Sequence, residues 1–246
     1  MGRRVGFGTG TERPPSGRSP GRGAAHRGPE CITRLLAFDT STETLSVAMR
    51  HGDVVIERSG EGGAQASSTL IPLIQSMLAE AGLQLRELDT IAFGRGPGSF
   101  TGLRTACSVA QGLAFGAGLR LLPVDTLLAV AEEARHRFGA QQVMAVLDAR
   151  MEQVYSAAYD FAGDGPVPEA EAQLSAPEAL LLPPGFVLAG NAFEAYGGRP
   201  PAASRHPALP AAGAILRLAP ALLAAGRTVS PADAWPLYVR DKVAQT

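Results

Sequence analysis

The stretch Leu-Leu-Ala-Phe-Asp-Thr-Ser-Thr at residues 35–42 predicts how the chain begins to fold. Its apolar first half is typical of a buried strand, and the Asp-Thr-Ser-Thr that follows favours a tight turn. Residues 45–50 and 54–58 flank a His-Gly-Asp turn, which indicates an antiparallel hairpin. The sequence therefore predicts three successive strands at the start, a departure from a plain doubly wound order.

Helices and strands alternate after this hairpin, which favours an α/β layered fold with a mixed sheet. In the first half, apolar spacing predicts a helix from Ser67 or Ser68 to about Ala81, a strand at 88–93, a helix at 101–116, a strand at 121–124 and a helix at 126–138. In the second half, it predicts strands at 143–147 and 154–159, a helix near 177–182, a strand at 186–189 and a helix at 211–225. No internal repeat with a period of 20–50 residues is visible.

The charge of the chain is unevenly distributed. The whole sequence has a formal net charge of −1, but residues 1–33 carry six Arg against Glu12 and Glu30. The remaining residues hold 16 basic and 21 acidic side chains, so this main part is mildly acidic. A protein that binds nucleic acid on its own needs a basic surface, so this class is disfavoured.

Residues 1–33 are rich in Gly, Pro and Arg and nearly lack apolar side chains. Such a segment buries too little surface to offset the entropy of ordering it, so we expect a disordered extension. It could also arise from a start codon that the cell does not use, or act as a basic arm that touches RNA. Two lone cysteines, Cys31 and Cys107, and the lack of a long apolar stretch favour a cytoplasmic protein with no membrane segment.

Two motifs are compatible with phosphate binding but incomplete. The loop Gly94-Arg-Gly-Pro-Gly98 lies between a predicted strand and helix, yet the only lysine is Lys242, so no Walker motif is present. The alternative is a turn whose glycines allow close backbone contact. Asp39 at a strand end could hold a metal-bound water, or its turn could simply satisfy local N–H groups.

Other catalytic arrangements find little support. No pair of histidines has metal-ligand spacing among the four present: His26, His51, His136 and His206. Ser99 does not lie in a Gly-x-Ser-x-Gly elbow, and no histidine is placed as its base. Asp148 and Glu152 could form a carboxylate pair, although a polar turn is the simpler interpretation.

The two helices of the first half carry more apolar surface than one buried face needs. In the first helix, Leu73 lies off a stripe at i, i+1, i+4, i+7 and i+8 spacing: Leu70, Ile71, Ile74, Met77, Leu78 and Ala81. The second helix has two ridges of small residues at i, i+4 spacing: Ser108, Gly112 and Gly116, and Ala106, Ala110 and Ala114. Small ridges permit close helix packing, so this surplus faces either a partner or another element of the same chain.

A combination of five segments is specific. They are LLAFDTSTE at 35–43, GRGPGSFTGLR at 94–104, AQGLA at 110–114, DARMEQVY at 148–155 and PLYVR at 236–240. Together they closely resemble the bacterial TsaB family, also called YeaZ, and the resemblance covers about residues 34–243. The last segment is similar to the Pro-x-Tyr-x-Arg sequence at the C-terminus of that family.

The resemblance implies an α/β actin-like, Hsp70-like ATPase (ASKHA) fold of two similar subdomains, with mixed sheets flanked by helices. We expect these subdomains at 34–125 and 126–246. TsaB proteins are catalytically inert relatives of the carbamoyl-transferring subunit TsaD. With TsaD and the ATPase TsaE they make N6-threonylcarbamoyladenosine at position 37 of tRNAs that read codons beginning with adenine. The resemblance thus implies a non-catalytic scaffold that contacts tRNA only through the complex and could form a homodimer without TsaD.

The resemblance also implies residue roles. The TsaD-facing helices would present Leu70, Leu73, Ile74, Met77, Ala106, Ser108, Ala110, Gly112 and Leu113. A second set matches the family's loop and is expected to serve architecture or the interface: Asp39, Arg95, Gly96, Gly98, Ser99 and Arg104.

No catalytic, metal or cofactor residue is expected. Catalytic relatives carry a His-x-x-x-His pair in the first long helix, whereas residues 63–72 hold no histidine. The alternative is a small actin-fold ATPase or phosphotransferase that uses Asp39 and the 94–104 loop. Missing lysines and metal ligands and a short second half disfavour it. The old glycoprotease label of the family finds no nucleophile–base pair and no zinc ligands here.

Overall fold

The computed structural model describes residues 1–2, 34–163 and 167–240 of the chain. The expectations for the N-terminal extension and for Cys31 fall on residues 3–33 and lie outside the described residues. Within the described part, no helix has the length and apolar character needed to cross a membrane.

The first sheet contains the predicted hairpin. Its strands are β1 (Arg34–Asp39), β2 (Thr44–His51), β3 (Val54–Glu61), β4 (Thr90–Gly96) and β5 (Leu121–Asp125), in the spatial order β3-β2-β1-β4-β5. β2 pairs antiparallel with both β1 and β3, while β4 runs parallel to β1 and β5. The helices of this half are α1 (Ala66–Glu80), α2 (Phe100–Ala117) and α3 (Thr126–Phe138), all close to the predicted bounds.

The second sheet repeats the connection of the first. Its strands are β6 (Gln142–Asp148), β7 (Val154–Asp160), β8 (Gln173–Ser175), β9 (Val187–Gly190) and β10 (Arg205–Pro207), in the order β10-β9-β6-β7-β8. Two further helices are α4 (Ala192–Tyr196) and α5 (Ala212–Ala224). In each half the first strand is central. On one side it continues into two strands joined by antiparallel pairing, and on the other into two strands joined by parallel pairing. The repeat therefore exists in topology although none is visible in the sequence.

The halves exchange their last helices. α3 follows the first sheet but packs against β6 and β7, and α5 follows the second sheet but packs against β1 and β2. The two helices also contact each other. One buried apolar cluster therefore spans both halves and contains Leu35 and Ala37 of β1 together with Val143 and Ala145 of β6. The division at residue 125 stays a prediction, because this shared core crosses it.

Separate apolar clusters cover the outer faces of the sheets. α1 and α2 pack on Leu36, Phe38 and Phe93 of the first sheet. The outer face of the second sheet is covered more thinly, by the short α4 and a turn at Pro177–Ala179. This turn is a single 3-10 turn, so the prediction of a helix at 177–182 is wrong. β8, α4 and β10 were not predicted, because three to five residues are too few to show a periodic pattern.

Helix α2 begins in direct backbone contact with the turn after β1. The Ser99 N–H donates to the Ser41 carbonyl oxygen at 2.7 Å, and the Thr40 hydroxyl donates to the Gly102 carbonyl oxygen at 2.7 Å. A Cβ atom on Gly102 would collide with the Thr40 carbonyl oxygen. Glycine is therefore required at 102 by the close approach of two backbones.

Two substitutions in α2 test this contact. Gly102→Ala should lower the free energy of unfolding by at least about 2 kcal/mol, because neither backbone can move away without disturbing β1. Gly112→Ala is the matched control, since no atom lies within 4 Å of its added methyl group. It should be neutral or stabilising by up to about 1 kcal/mol, as expected from helix propensity. Urea unfolding measures both, and equal effects would contradict the packing described here.

Candidate functional site

The Asp39 carboxylate is fully buried at the end of β1. One oxygen accepts the Ser41 N–H at 2.8 Å and the Ser41 hydroxyl at 2.5 Å, and the other accepts the Thr126 hydroxyl at 3.4 Å. Removal from water raises the pKa of Asp39 to about 6, although these hydrogen bonds lower it in part. A Cβ atom on Gly94 would overlap this carboxylate, so β4 closes over it. Asp39 is thus a buried link between the turn after β1 and the start of α3.

The other loop residues serve this junction. The Gly96 N–H donates to the Thr126 hydroxyl oxygen at 3.1 Å, and Arg95 forms an ion pair with Asp125 at 2.5 Å. Ser99 is the N-cap of α2. Gly98 lies against the Ser41 backbone. The structure therefore brings the loop and the Asp39 turn together as packed neighbours.

A cleft of about 300 Å³ lies above this junction, between the two halves. Its walls come from the turn after β1, the start of α2, the turn between β6 and β7, and the C-terminal segment, which comprises residues 234–240. Ser41 and Thr42 line the cleft, whereas Asp39 and Thr40 do not. The Asp39 carboxylate, which phosphate or metal chemistry would need, is thus buried and does not reach the cleft. Within the described ranges, no three His, Cys, Asp or Glu side chains gather where they could share a metal ion.

The turn between β6 and β7 is strained. Arg150, Met151 and Glu152 have φ values of 60°, 53° and 60°, in the left-handed region that non-glycine residues seldom adopt. Asp148 accepts the Arg150 N–H at 2.7 Å and the Tyr196 hydroxyl at 2.7 Å. Glu152 pairs with Arg199 instead. The two carboxylates therefore have separate structural partners and do not act as a pair.

The C-terminal segment bridges the two halves. The Leu237 N–H donates to the Arg95 carbonyl oxygen at 2.7 Å, at the glycine loop of the first half. The Arg240 guanidinium donates to the Ala149 carbonyl oxygen at 3.0 Å and to the Gln153 side-chain oxygen at 2.8 Å, at the strained turn of the second half. Three of the segments that carried the family resemblance thus meet in one place.

Five residues predicted for the partner surface are buried inside the chain. Each is at most 1% exposed and packs against the first sheet: Leu70, Ile74, Met77, Ala106 and Ala110. Their assignment to a surface is wrong, because the sheet takes the most regular apolar stripe of each helix. Leu73 and Leu113 are partly exposed, and Ser108 and Gly112 are exposed.

The two small-residue ridges of α2 have different environments. The alanine ridge faces the sheet, whereas Ser108, Gly112 and Gly116 face outward. Beside this outer ridge, Phe115 is 84% exposed, and Trp235 of the C-terminal segment is 70% exposed. Trp235 follows Ala234, whose carbonyl oxygen accepts the Gln111 side-chain amide of α2 at 3.0 Å. Neither aromatic residue was predicted, since single exposed aromatics leave no periodic signal.

Comparison with known proteins identifies the family. The tRNA threonylcarbamoyladenosine biosynthesis protein TsaB of Escherichia coli K12 is 37% identical over 223 residues, which cover 86% of this chain and 96% of that protein. The chain belongs to the TsaB family. The protein of the same description from Haemophilus influenzae is 45% identical over 121 residues, 49% of this chain and 51% of that protein. The family model described as TsaD, tRNA N6-adenosine threonylcarbamoyltransferase, matches residues 62–205.

Solved structures agree with this assignment. YeaZ from Pseudomonas aeruginosa superposes with a TM-score of 0.78 at 36% identity, over 84% of this chain and all of that one. A second Pseudomonas aeruginosa structure, described as similar to the peptidase YeaZ, gives the same TM-score. The expected fold is confirmed: the chain has the actin-like ATPase fold of the TsaB and TsaD proteins, with two similar mixed sheets flanked by helices.

The buried Asp39 predicts a pH dependence of stability. Its pKa is higher in the folded chain, about 6, than the ordinary value of 3.8, so folding favours the protonated form. Stability from this group is full below pH 3.8 and is lost as the pH rises to about 6, by about 3 kcal/mol in total.

Asp39→Asn removes this titration, so its free energy of unfolding relative to the wild type should rise by about 2 kcal/mol between pH 4 and pH 7. Asp53→Asn, at the exposed β2–β3 turn, is the control and should follow the wild type. Urea unfolding across this pH range provides the measurement. Parallel curves for Asp39→Asn and the wild type would contradict the assigned burial.

Proposed function

We propose that this chain is a non-catalytic cytoplasmic subunit for N6-threonylcarbamoyladenosine formation in tRNA, and that it docks onto a TsaD protein through α1 and α2. The biosynthetic role is supported by the names of the relatives and by the TsaD family model that matches most of the chain. The scaffold role rests on the geometry of the outer helices.

The observation that carries the docking proposal is the outer ridge of α2. Ser108, Gly112 and Gly116 form a shallow groove in which another helix can approach closely. Phe115 and the partly exposed Leu113 supply apolar contacts beside it. α1 adds Ile71 and Leu73 at its own surface. Exposed large apolar side chains around a groove are typical of a protein-binding face.

The non-catalytic role is supported by the interior of the molecule. Asp39 and Thr40 are buried, and their polar atoms are used by Ser41, Thr126 and Gly102. A phosphotransferase needs its carboxylate ionised and within reach of the substrate. The geometry therefore disfavours the ATPase alternative and supports a non-catalytic subunit that acts through its protein-binding surface.

Indirect contact with tRNA fits the surface charge. Most exposed arginines of the described residues already have a carboxylate partner, as in the pairs Arg58–Glu80, Arg150–Glu43, Arg199–Glu178 and Arg227–Glu169. Such neutralised pairs give little attraction for a phosphate backbone. We therefore assign tRNA recognition to the complex with TsaD and TsaE. Without TsaD, the same apolar face could pair two copies of this chain.

Gly112→Arg tests the docking face. The side chain has open space in the monomer, so the variant should keep the melting temperature of the wild type. It should abolish the complex with TsaD from the same organism, because a long cation fills the groove. Gly60→Arg is the matched control, since it adds the same charge at an open position of β3. Light scattering on a sizing column measures the mass of the mixture.

A wild-type chain that forms no complex with TsaD would contradict the docking proposal outright. A complex that survives Gly112→Arg would place the interface elsewhere on the chain. Loss of the complex with both arginine variants would indicate a general charge effect and would also count against α2.

Mg-ATP provides a separate test of the non-catalytic assignment. The melting temperature of the isolated chain should be unchanged at millimolar Mg-ATP. A site of micromolar affinity would stabilise the chain by roughly 4 kcal/mol at a thousandfold excess over Kd, which is readily detected. A clear upward shift that Asp39→Asn abolishes would instead favour the ATPase alternative.

A further inference from the structure

Arg104 lies at the start of the outer ridge of α2, one helical turn before Ser108. It is the single charged residue of the helix, which otherwise carries only apolar, small or neutral polar side chains from Phe100 to Ala117. It is exposed. A helix that packs along Ser108 and Gly112 would therefore bring Arg104 to the edge of its contact.

The Arg104 guanidinium is held in place by two aromatic rings. Its central carbon lies 3.8 Å from the centre of the Phe100 ring, and its Nε–H donates to the Tyr238 hydroxyl oxygen at 3.1 Å. The Phe100 and Tyr238 rings are themselves 5.6 Å apart. Stacking on a ring face and one fixed hydrogen bond restrict the rotamers of a long side chain, so little entropy is lost when it binds.

The charge of Arg104 is not neutralised by the part of the chain that the structure describes. Its Nη atoms make no hydrogen bond there and no carboxylate pairs with it, in contrast to Arg58, Arg150 and Arg199. Docking over the ridge would remove part of its water. A cation that loses water in that position needs a charged acceptor in compensation.

We propose that Arg104 is the specificity-determining cation of the docking face and that it receives an Asp or Glu side chain of the partner protein. This inference rests on the proposed function, since it concerns the same face. The two free Nη groups match both oxygens of one carboxylate. A nucleic-acid phosphate has similar chemistry, but the acidic main part of the chain and its paired arginines favour a protein carboxylate.

The test compares Kd for TsaD from the same organism across NaCl concentrations from about 50 to 500 mM, with the full chain. Arg104→Gln should weaken binding at low salt by about tenfold or more and remove most of the salt dependence. Arg104→Lys keeps the charge but loses the planar stack, so it should retain the salt dependence and bind with intermediate affinity. Arg137→Gln, on α3 and away from the ridge, is the control and should match the wild type.

Tyr238→Phe separates positioning from charge. It removes the hydroxyl that accepts from Arg104 and keeps both rings. Binding should weaken less than in Arg104→Gln, with the salt dependence preserved, because the cation remains but is less fixed. Melting temperatures of all variants should stay near that of the wild type, since the cluster is at the surface.

The outcomes are distinguishable. A wild-type chain that does not bind TsaD overturns the proposed function itself. If Arg104→Gln binds TsaD with the same Kd as the wild type, Arg104 does not bind a partner carboxylate, and this inference is wrong while the docking proposal stands. Unchanged TsaD binding together with a loss of tRNA binding by the chain alone, measured by filter binding, would instead assign Arg104 to an RNA phosphate and also overturn the inference.

Discussion

The contact between the first turn of α2 and the turn after β1 determines the arrangement of the outer half of the molecule. Two backbones meet there without an intervening side chain at Gly102, and hydrogen bonds from Thr40 and Ser99 fix their orientation. This contact fixes the first turn of α2, and packing of its alanines on the sheet fixes the rest of the helix. The alanine ridge then faces the sheet, and the ridge of Ser108 and Gly112 faces solvent. The buried Gly102 is not part of the surface proposed for docking, but its contact helps to decide which face of α2 is exposed there.

The surroundings of the turn after β1 also explain why the phosphate-like motif at Asp39 carries no accessible acid. In this chain, β4 closes over Asp39, and the carboxylate accepts hydrogen bonds from Ser41 and Thr126 instead of from solvent. The cleft above remains, but its walls are joined by the C-terminal segment. Arg240 donates to the carbonyl oxygen of Ala149 beside the strained turn, so the segment and the turn are held together.

Much of the fold could be predicted from the sequence, and the reasons are physical. Strong apolar runs and Gly- or Ser-based ends defined the strands and helices of the first half, and α3 matches its predicted bounds. The shorter elements of the second half could not be found, because β8 and β10 have three residues each. The residue pattern did not show the topological repeat, since strand order depends on pairing and not on similar residues; only the family resemblance implied two similar subdomains.

The site was predicted less well. Asp39 and the glycine loop were each recognised as motifs, but their proximity and the burial of Asp39 depend on β4 lying beside β1, which sequence spacing does not reveal. On α2, alanine and glycine ridges look alike in sequence, because both consist of small residues. Only the position of the sheet distinguishes Ala110 from Gly112. The contact between Arg104 and Tyr238 could not be predicted either, because the two residues are 134 positions apart in the sequence.

The exchange of α3 and α5 between the two halves has a consequence for synthesis on the ribosome. The inner face of the first sheet is complete in sequence by Asp125, yet the helix that covers it ends at Ala224. Until α5 has emerged from the ribosome, the nascent chain therefore lacks the helix that covers the inner face of β1 and β2. Late closure of this kind makes the last fifth of the polypeptide a requirement for the first half to mature, and it exposes truncated products to chaperones and proteases.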